Sequence, residues 1–228
     1  MGTTRRPERT RANLRSLRAR LLECARYPER VLFLDVETTG LDPDHDEITV
    51  IGWSFGGCTR SIVRGTNEDL LRNDFQQAKA LVTFNGGRFD TKFVARAFPG
   101  ITFPRVHLDL LQLCRRVGLT GGQKTVEKAL GIDLRDDTTR VDGLQAVELW
   151  HRYVHGDREA LRTLVLYNRV DVAAMGAILD EVVRRINART GLSMCGVRFR
   201  NWSAPAGWRT LDKGSWLSTH HEPHHRPP

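Results

Sequence analysis

The sequence predicts an α/β fold in which a mixed β-sheet is flanked by helices. Three short segments rich in apolar and β-branched residues come first and are separated by turn residues, which is typical of an antiparallel meander. Further apolar segments then alternate with helical ones, as expected where strands are added through helical crossovers. The predicted order is β-β-β-α-β-α-β-α, followed by more helices.

The meander is predicted from three segments. Val31 to Val36 is a continuous apolar run that ends in acidic residues, and its length and Val/Phe content indicate a buried strand. Glu47 to Phe55 is the second strand. Gly56-Gly57 suits a tight hairpin turn, and Cys58 to Val63 is the third strand.

Helices and strands alternate after the meander. A helix is predicted from about Thr66 to Lys79, with Thr66 or Asn67 as its N-cap. Gly131 is expected to end a short helix that begins near Thr125. The other elements are strands at 80–84 and 106–109 and helices at 89–98, 110–117, 142–154 and 157–188.

The two ends of the chain differ from its middle. After a disordered start at residues 1–7, a basic helix is predicted to Tyr27, and leucines at helical spacing give it one stripe that can dock on the body: Leu14, Leu17, Leu21 and Leu22. Periodicity fades after Gly191. We therefore divide the chain into a basic leader (1–30), an α/β domain (31–190) and a poorly structured tail (191–228).

Composition favours a polyanionic partner. The net charge of the 228 residues is +8, and nine arginines against three glutamates place +6 of it in the first thirty residues. The leader is thus a candidate nucleic-acid clamp, or alternatively a solvated face. No apolar run approaches the roughly 20 residues of a membrane span, and no secretory signal is recognisable, so we expect a cytoplasmic protein. The four cysteines form no CxxC pair, which favours reduced thiols.

Asp35 and Glu37 are the first candidate site residues. Residues two apart on a strand point to the same side, so both carboxylates are expected to project together from the end of a buried strand. Two buried like charges repel each other and need a neutralising partner. Mg²⁺ or Mn²⁺ is the natural one, because hard cations prefer carboxylate oxygens. The alternative is a pair of solvated acids before a turn.

Asp90, Tyr167 and Asp171 are the other candidates. Asp90 follows a predicted strand and the loop Asn85-Gly86-Gly87, although an acid in the first turn of a helix is also favourable for helix stability alone. Tyr167 and Asp171 are four apart on a predicted long helix and share one face. The alternative for Asp171 is a plain ion pair with an arginine such as Arg169 or Arg115.

These segments together resemble the DEDD superfamily of 3′–5′ exonucleases. Its three motifs look like Asp35 to Gly40, Asn85 to Asp90, and Tyr167-x-x-x-Asp171. The tyrosine subclass fits, because Leu166 stands where the histidine subclass has His. The sequence is also similar to the YprB-like predicted exonucleases of the ribonuclease H-like group over roughly residues 31–185, which implies a ribonuclease H-like mixed sheet.

The resemblance implies a two-metal-ion site that hydrolyses phosphodiester bonds. Asp35 would bridge two Mg²⁺ or Mn²⁺ ions, Glu37 and Asp171 would complete the shell of the first, and Asp90 would contact the second. Tyr167 would orient the attacking water. The partner would be nucleic acid, DNA or RNA, single-stranded or with a 3′ end.

Six further residues are candidates for supporting roles. Thr38, Asn85, Arg88 and Lys124 are expected to contact nucleic acid; Lys124 precedes a short helix whose N-terminus suits phosphate. Solvated side chains are the alternative for Arg88 and Lys124. His107 and Asp109 alternate on a short strand and are expected either to support the site or to bond nearby backbone.

Three function classes follow from these observations. The favoured one is a metal-dependent 3′–5′ exonuclease, because the acid set and Tyr167 are complete. A structure-specific endonuclease of the same fold is the second, since fold alone does not decide function. A non-catalytic module that binds nucleic acid is the third.

Overall fold

One mixed sheet organises the protein, whose computed structural model describes residues 5–66 and 68–190. Three strands form an antiparallel meander: β1 (Val31–Thr38), β2 (Ile48–Phe55) and β3 (Cys58–Val63). Two shorter strands, β4 (Ala80–Thr83) and β5 (Val106–Asp109), continue the sheet in parallel on the other side of β1. The order β3-β2-β1-β4-β5 places β1 at the centre. The predicted α/β mixed sheet is thereby confirmed.

Helices cover both faces of this sheet. In the described part of the chain the α-helices are α1 (Arg5–Arg26), α2 (Asp69–Gln77), α3 (Asp90–Ala97), α4 (Leu110–Arg116), α5 (Gln123–Leu130), α6 (Gly143–Val154) and α7 (Arg158–Thr190). Gly131 ends α5 with φ +67°, the left-handed conformation that glycine adopts without strain. None of these helices is both long enough and apolar enough to cross a membrane.

The alternation of side chains along β1 decides which face carries the acids. Val31 and Phe33 belong to the core that α7 closes, whereas Leu32 and Leu34 belong to the core on the side of α2 and α3. Because side chains two apart share a face, Asp35 continues the α7 side. The central strand therefore presents its acids toward the longest helix.

The leader helix α1 docks on this same α7 side. Leu17 and Leu21 are 2% and 0% exposed and join the core formed by β1, β5 and α7. Leu22, predicted on the docking stripe, is instead 43% exposed, and Cys24 takes the buried position one turn after Leu21. Residues three apart on a helix share a face, whereas adjacent residues do not, so Cys24 lies nearer than Leu22 to the face of Leu21.

The start of α2 was predicted wrongly. The helix begins at Asp69 instead of Thr66, and its N-cap Glu68 makes no side-chain capping bond. Thr66 instead closes the turn after β3, where its hydroxyl donates to the Val63 carbonyl at 2.7 Å. The alternative cap Asn67, the first residues of the leader and the tail from residue 191, with Cys195, lie outside the described residues.

Candidate active site

Three carboxylates meet at the end of β1. Asp35 and Glu37 come from the strand, and Asp171 comes from α7, which crosses above it. One oxygen from each lies within 4.8 Å of the others, and Glu37 and Asp171 are 8% and 7% exposed. A hard divalent cation suits such an all-oxygen donor set, so these residues fit a metal of this kind. The fold thus brings together acids from two segments that are far apart in the sequence.

Asp90 reaches the same strand end from the start of α3, which follows the neighbouring strand β4. The pairing of β1 with β4 covers only Val31 to Phe33, so the Val36 N–H is left without a partner from β4. Asp90, the first residue of α3, accepts this N–H through Oδ1 at 3.1 Å. The turn before it needs Gly86, because a Cβ there would lie 2.6 Å from Asp90 Oδ2. Asp90 is thus tied to the strand that carries Asp35 and Glu37.

Asn168 lies between the two strand acids. Its side-chain nitrogen donates to Asp35 Oδ2 at 2.8 Å and to the Asp35 carbonyl at 3.3 Å. Glu37 Oε1 lies at 3.5 Å from the same nitrogen. The residue is fully buried. One amide thus contacts both carboxylates from the α7 side.

Arg135 provides the positive charge nearest to Asp171. Its guanidinium binds Glu127 through Nε at 2.7 Å and Nη2 at 2.8 Å, and Nη2 also lies 2.5 Å from Asp171 Oδ1. The expected alternative partners of Asp171 were wrong: Arg169 donates to Ser61 Oγ at 2.9 Å, and Arg115 has no contact with Asp171 among the described hydrogen bonds and ion pairs. Arg135 reaches Asp171 from the loop between α5 and α6.

Tyr167 lies beside the acids and is held by Lys124. The Lys124 ammonium is 3.1 Å from the Tyr167 hydroxyl and 4.5 Å from the centroid of its ring. It also donates to the Val141 carbonyl. Lys124 is the second residue of α5, so it stands inside the helix rather than before it. The lysine is not simply solvated, since three groups of the protein contact it.

The four acids, Tyr167 and Lys124 line one cavity of about 330 Å³. The acids form one side and the N-terminal turn of α5 faces them. Phe84 and Phe89 add an apolar wall. The full lining consists of Asp35, Val36, Glu37, Phe84, Asn85, Phe89, Asp90, Gly122, Gln123, Lys124, Thr125, Tyr167 and Asp171.

Burial and mutual repulsion raise the pKa values of the acids. Burial, followed by the charges of Asp171 and Glu37, holds the pKa of Asp35 well above its ordinary value. The pKa of Glu37 is raised in the same way, and that of Asp90 is raised to about 7, mainly by burial. For Asp171, burial also raises the pKa, but Arg135 opposes the rise. A cation in the cavity would relieve this repulsion.

The remaining predicted residues lie around the cavity. Asn85 lines it with φ +65°, and its backbone N–H donates to Asp109 Oδ1 at 3.0 Å. Asp109 also caps α4 and does not itself line the cavity. His107 lies 2.9 Å from Thr83 Oγ1 and is likewise outside the lining, as is exposed Arg88. Thr38 is buried, and its hydroxyl donates to the Gly40 carbonyl at 2.5 Å.

Sequence reasoning missed three residues that shape the site. Asn168 could have been found, because it is three residues before Asp171 on a helix and so shares its face. Gln123 donates to the Asp171 carbonyl at 2.8 Å and its carboxylate at 3.2 Å. Gln123 and Arg135 carry no such signal, since one stands at a helix start and the other in a loop.

The fold and the acid cluster together define an α/β protein with a candidate divalent-metal centre on the central strand of its sheet. Residues 32–183 match the RNase_H_2 family of the RNase_H superfamily. The chain therefore belongs to the RNase H superfamily. No curated protein matches the sequence.

Solved structures of similar fold include NrnC and RNase D. Brucella melitensis NrnC is 19% identical, with a TM-score of 0.50 over 75% of this chain and 80% of that one. NrnC bound to pGG is 18% identical, with a TM-score of 0.50 over 72% of this chain and 76% of that one. Escherichia coli RNase D, an exoribonuclease involved in structured RNA processing, is 19% identical, with a TM-score of 0.52 over 76% of this chain and 44% of that one. At these identities the likeness is one of fold.

Proposed function

We propose that this protein is a metal-dependent 3′–5′ exonuclease that hydrolyses phosphodiester bonds of DNA or RNA with two Mg²⁺ or Mn²⁺ ions. One observation carries the proposal: Asp35, Glu37, Asp90 and Asp171 line a single cavity together with Tyr167. This is the residue set of the tyrosine subclass of DEDD exonucleases, and the YprB-like group is the relative we favour. The fold shared with NrnC and RNase D supports the same interpretation.

The acids would hold the ions. Asp35, Glu37 and Asp171 already bring one oxygen each within 4.8 Å of the others, which suits a shared cation, and Asp90 faces the same cavity. Bound ions of this kind lower the pKa of a coordinated water and stabilise the leaving oxygen. Brucella melitensis NrnC has also been solved with bound Mg²⁺, which supports this choice of metal.

Tyr167 would orient the attacking water as a hydrogen-bond donor. Burial and the nearby charges of Asp171 and Glu37 raise the pKa of its hydroxyl, so the phenol stays protonated at neutral pH. Lys124, at 3.1 Å, donates to the phenol oxygen, because an ammonium has no acceptor. The phenol hydrogen is then available to a water or a phosphate oxygen in the cavity.

The substrate would enter along the side formed by α5 and the loop after β4. Lys124 and Asn85 line the cavity there, and exposed Arg88 lies three residues after Asn85. We propose these three residues as contacts to the phosphate backbone of a single strand or a 3′ end, with Thr38 shaping the strand end. Residues 31–190 would form the nuclease domain. The basic leader, with exposed Arg15 and Arg18, would add a clamp.

The direct test uses single-stranded oligonucleotides labelled at either end, with Mg²⁺ or Mn²⁺. We expect a 3′ label to leave at once as a mononucleotide, whereas a 5′ label remains on a ladder of shortening products. Asp35→Ala and Asp171→Asn are expected to abolish both patterns. Cleavage of a circular single strand would favour an endonuclease instead, and a wild-type protein that releases no nucleotide would overturn the proposal.

A further inference from the structure

We propose that Asn168 is a positioning residue that sets the geometry of the Asp35–Glu37 pair. We also propose that a glycine is required at position 52, because a side chain there would occupy the space of the Asn168 amide. The inference rests on the proposed metal-binding function of that pair. It concerns the amide that contacts both carboxylates from α7.

The contacts of Asn168 leave its amide one useful orientation. Its nitrogen lies 2.8 Å from Asp35 Oδ2 and 3.5 Å from Glu37 Oε1. Carboxylates only accept hydrogen bonds, so the amide oxygen cannot take this place without facing two negative charges. The nitrogen must therefore face the acids, and its two N–H groups are available to them.

The amide oxygen is left unsatisfied by this orientation. Asn168 Oδ1 is buried, and no hydrogen-bond partner for it lies among the described residues. A buried acceptor without a partner costs about 1–3 kcal/mol. An apolar side chain of the same shape would avoid that cost, so stability alone does not explain an asparagine here. Its donor to Asp35 is what an apolar residue could not provide.

Gly52 provides the space that the Asn168 amide occupies. It stands directly opposite Asp35 in the pairing of β1 with β2. A Cβ on Gly52 would overlap Asn168 Oδ1 and lie 2.9 Å from Asn168 Cγ. The next nearest atom is Val172 Cγ2, at 3.2 Å, which is the end of a side chain and can give way. Any side chain at position 52 would therefore push the amide away from the acids first.

Hydrogen bonds of this kind fix the orientation of the carboxylates, and so the direction of the lone pairs that a cation would use. Changing the outer partners of metal-binding residues typically lowers metal affinity by about 10–100-fold. Asn168 and Gly52 are expected to act as one unit, because Gly52 affects the carboxylates only by allowing the position of the Asn168 amide. Their effects on metal binding should therefore not add.

The test measures Mn²⁺ binding by isothermal titration calorimetry on four full-length proteins: wild type, Asn168→Ala, Gly52→Ala and the double variant. We expect each single variant to lose about 10–100-fold in affinity. The double variant should bind no more weakly than Asn168→Ala, because the shortened side chain leaves room for the new methyl group. Circular dichroism and urea unfolding establish that each protein is folded.

Two matched controls test whether removing an amide from α7, or changing a small residue of β2, weakens Mn²⁺ binding by itself. Asn187→Ala removes an amide from the same helix α7 more than four turns away, and Ser54→Ala changes the next inward position of β2; both should bind Mn²⁺ as the wild type does. If Asn168→Ala does not fold, Asn168→Leu keeps the volume and removes the donor, with the same expected loss.

The outcomes separate the two proposals. Wild-type protein that binds Mn²⁺ while Asn168→Ala, or its leucine replacement, binds equally well would overturn the role of Asn168 and leave the nuclease proposal standing. Fully additive losses in the double variant would overturn the role given to Gly52. A wild-type protein that binds no Mn²⁺ would overturn the proposed function itself.

Discussion

Arg135 Nη2 lies 2.5 Å from Asp171 Oδ1, and the same guanidinium binds both oxygens of Glu127. All three side chains are nearly buried, with exposures of 10%, 9% and 4% for Arg135, Asp171 and Glu127. The arginine also lies 5.7 Å from the centroid of the Tyr167 ring. One loop residue thus holds a candidate metal ligand, a second acid and the candidate water-orienting tyrosine in place.

Removing this arginine should destabilise the fold strongly. Arg135→Ala leaves Glu127 and Asp171 buried without their cation, and the loss of one partner of a buried pair typically costs about 3–5 kcal/mol. We expect a fall of that size in the free energy of unfolding, measured by urea denaturation in EDTA. Added Mn²⁺ should restore part of it, because an ion can take over the charge near Asp171.

An exposed arginine gives the control for this prediction. Arg140 pairs with Asp137 at 3.1 Å, but the side chains are 64% and 96% exposed. Arg140→Ala should change the free energy of unfolding by less than about 1 kcal/mol. Equal losses in the two variants would contradict the special role of the buried pair.

The pH dependence of stability should report on Asp90. Its pKa is raised to about 7 in the folded protein, above the ordinary 3.8. The folded state therefore binds its proton more tightly than the unfolded state, so stability falls as the pH rises from about 4 to about 7, and the full cost is present above pH 7. Below about pH 4 both states are protonated and the cost disappears. Metal-free Asp90→Asn should be more stable than wild type at pH 8, and this advantage should shrink as the pH falls from 7 to 4.

Comparing the two proteins isolates Asp90 from other titrating groups. The lowered pKa of His107, for example, affects both proteins alike. Urea unfolding in EDTA at pH 8, 6 and 4.5 provides the measurement. A difference between the proteins that stays constant across this range would show that Asp90 has an ordinary pKa. Saturating Mg²⁺ at pH 8 should remove the advantage of the variant, since the ion neutralises the acids.

The regular spacing of side chains on strands and helices explains which parts of the site could be predicted from the sequence. Asp35 and Glu37 alternate with core residues of β1, and Tyr167 and Asp171 are four apart on α7, so local geometry alone places each pair. The convergence of the two pairs depends on how α7 crosses the sheet, which only the motif resemblance suggested. Arg135 could not be placed at all, because a loop residue follows no period. The predicted N-cap of α2 was wrong, because the Thr66 hydroxyl bonds to the Val63 carbonyl in the preceding turn.

The hydroxyl of Tyr167 should matter for rate and little for metal binding. Tyr167→Phe keeps the ring against Lys124 and Arg135 but removes the group that would orient the water. We expect the single-turnover rate with an excess of enzyme to fall by about 100-fold, the scale of a mispositioned reactant. Affinity for Mn²⁺ should be unchanged. Tyr153→Phe on α6 is the matched control and should leave both quantities alone; a Tyr167→Phe protein of full activity would remove the tyrosine from the mechanism.

Lys124 contacts two residues of the protein, Tyr167 and Val141, so its role toward phosphate needs a readout that a purely structural lysine would not change. Lys124→Met should weaken the binding of a single-stranded oligonucleotide and lower the slope of log affinity against log salt concentration by about 0.7, the contribution of one phosphate contact on a single strand. Fluorescence anisotropy with Ca²⁺ in place of Mg²⁺ measures binding. Lys128→Met, an exposed position on the same helix, should keep the wild-type slope. A Lys124→Met slope equal to that of the wild type would show that the ammonium serves only Tyr167 and Val141.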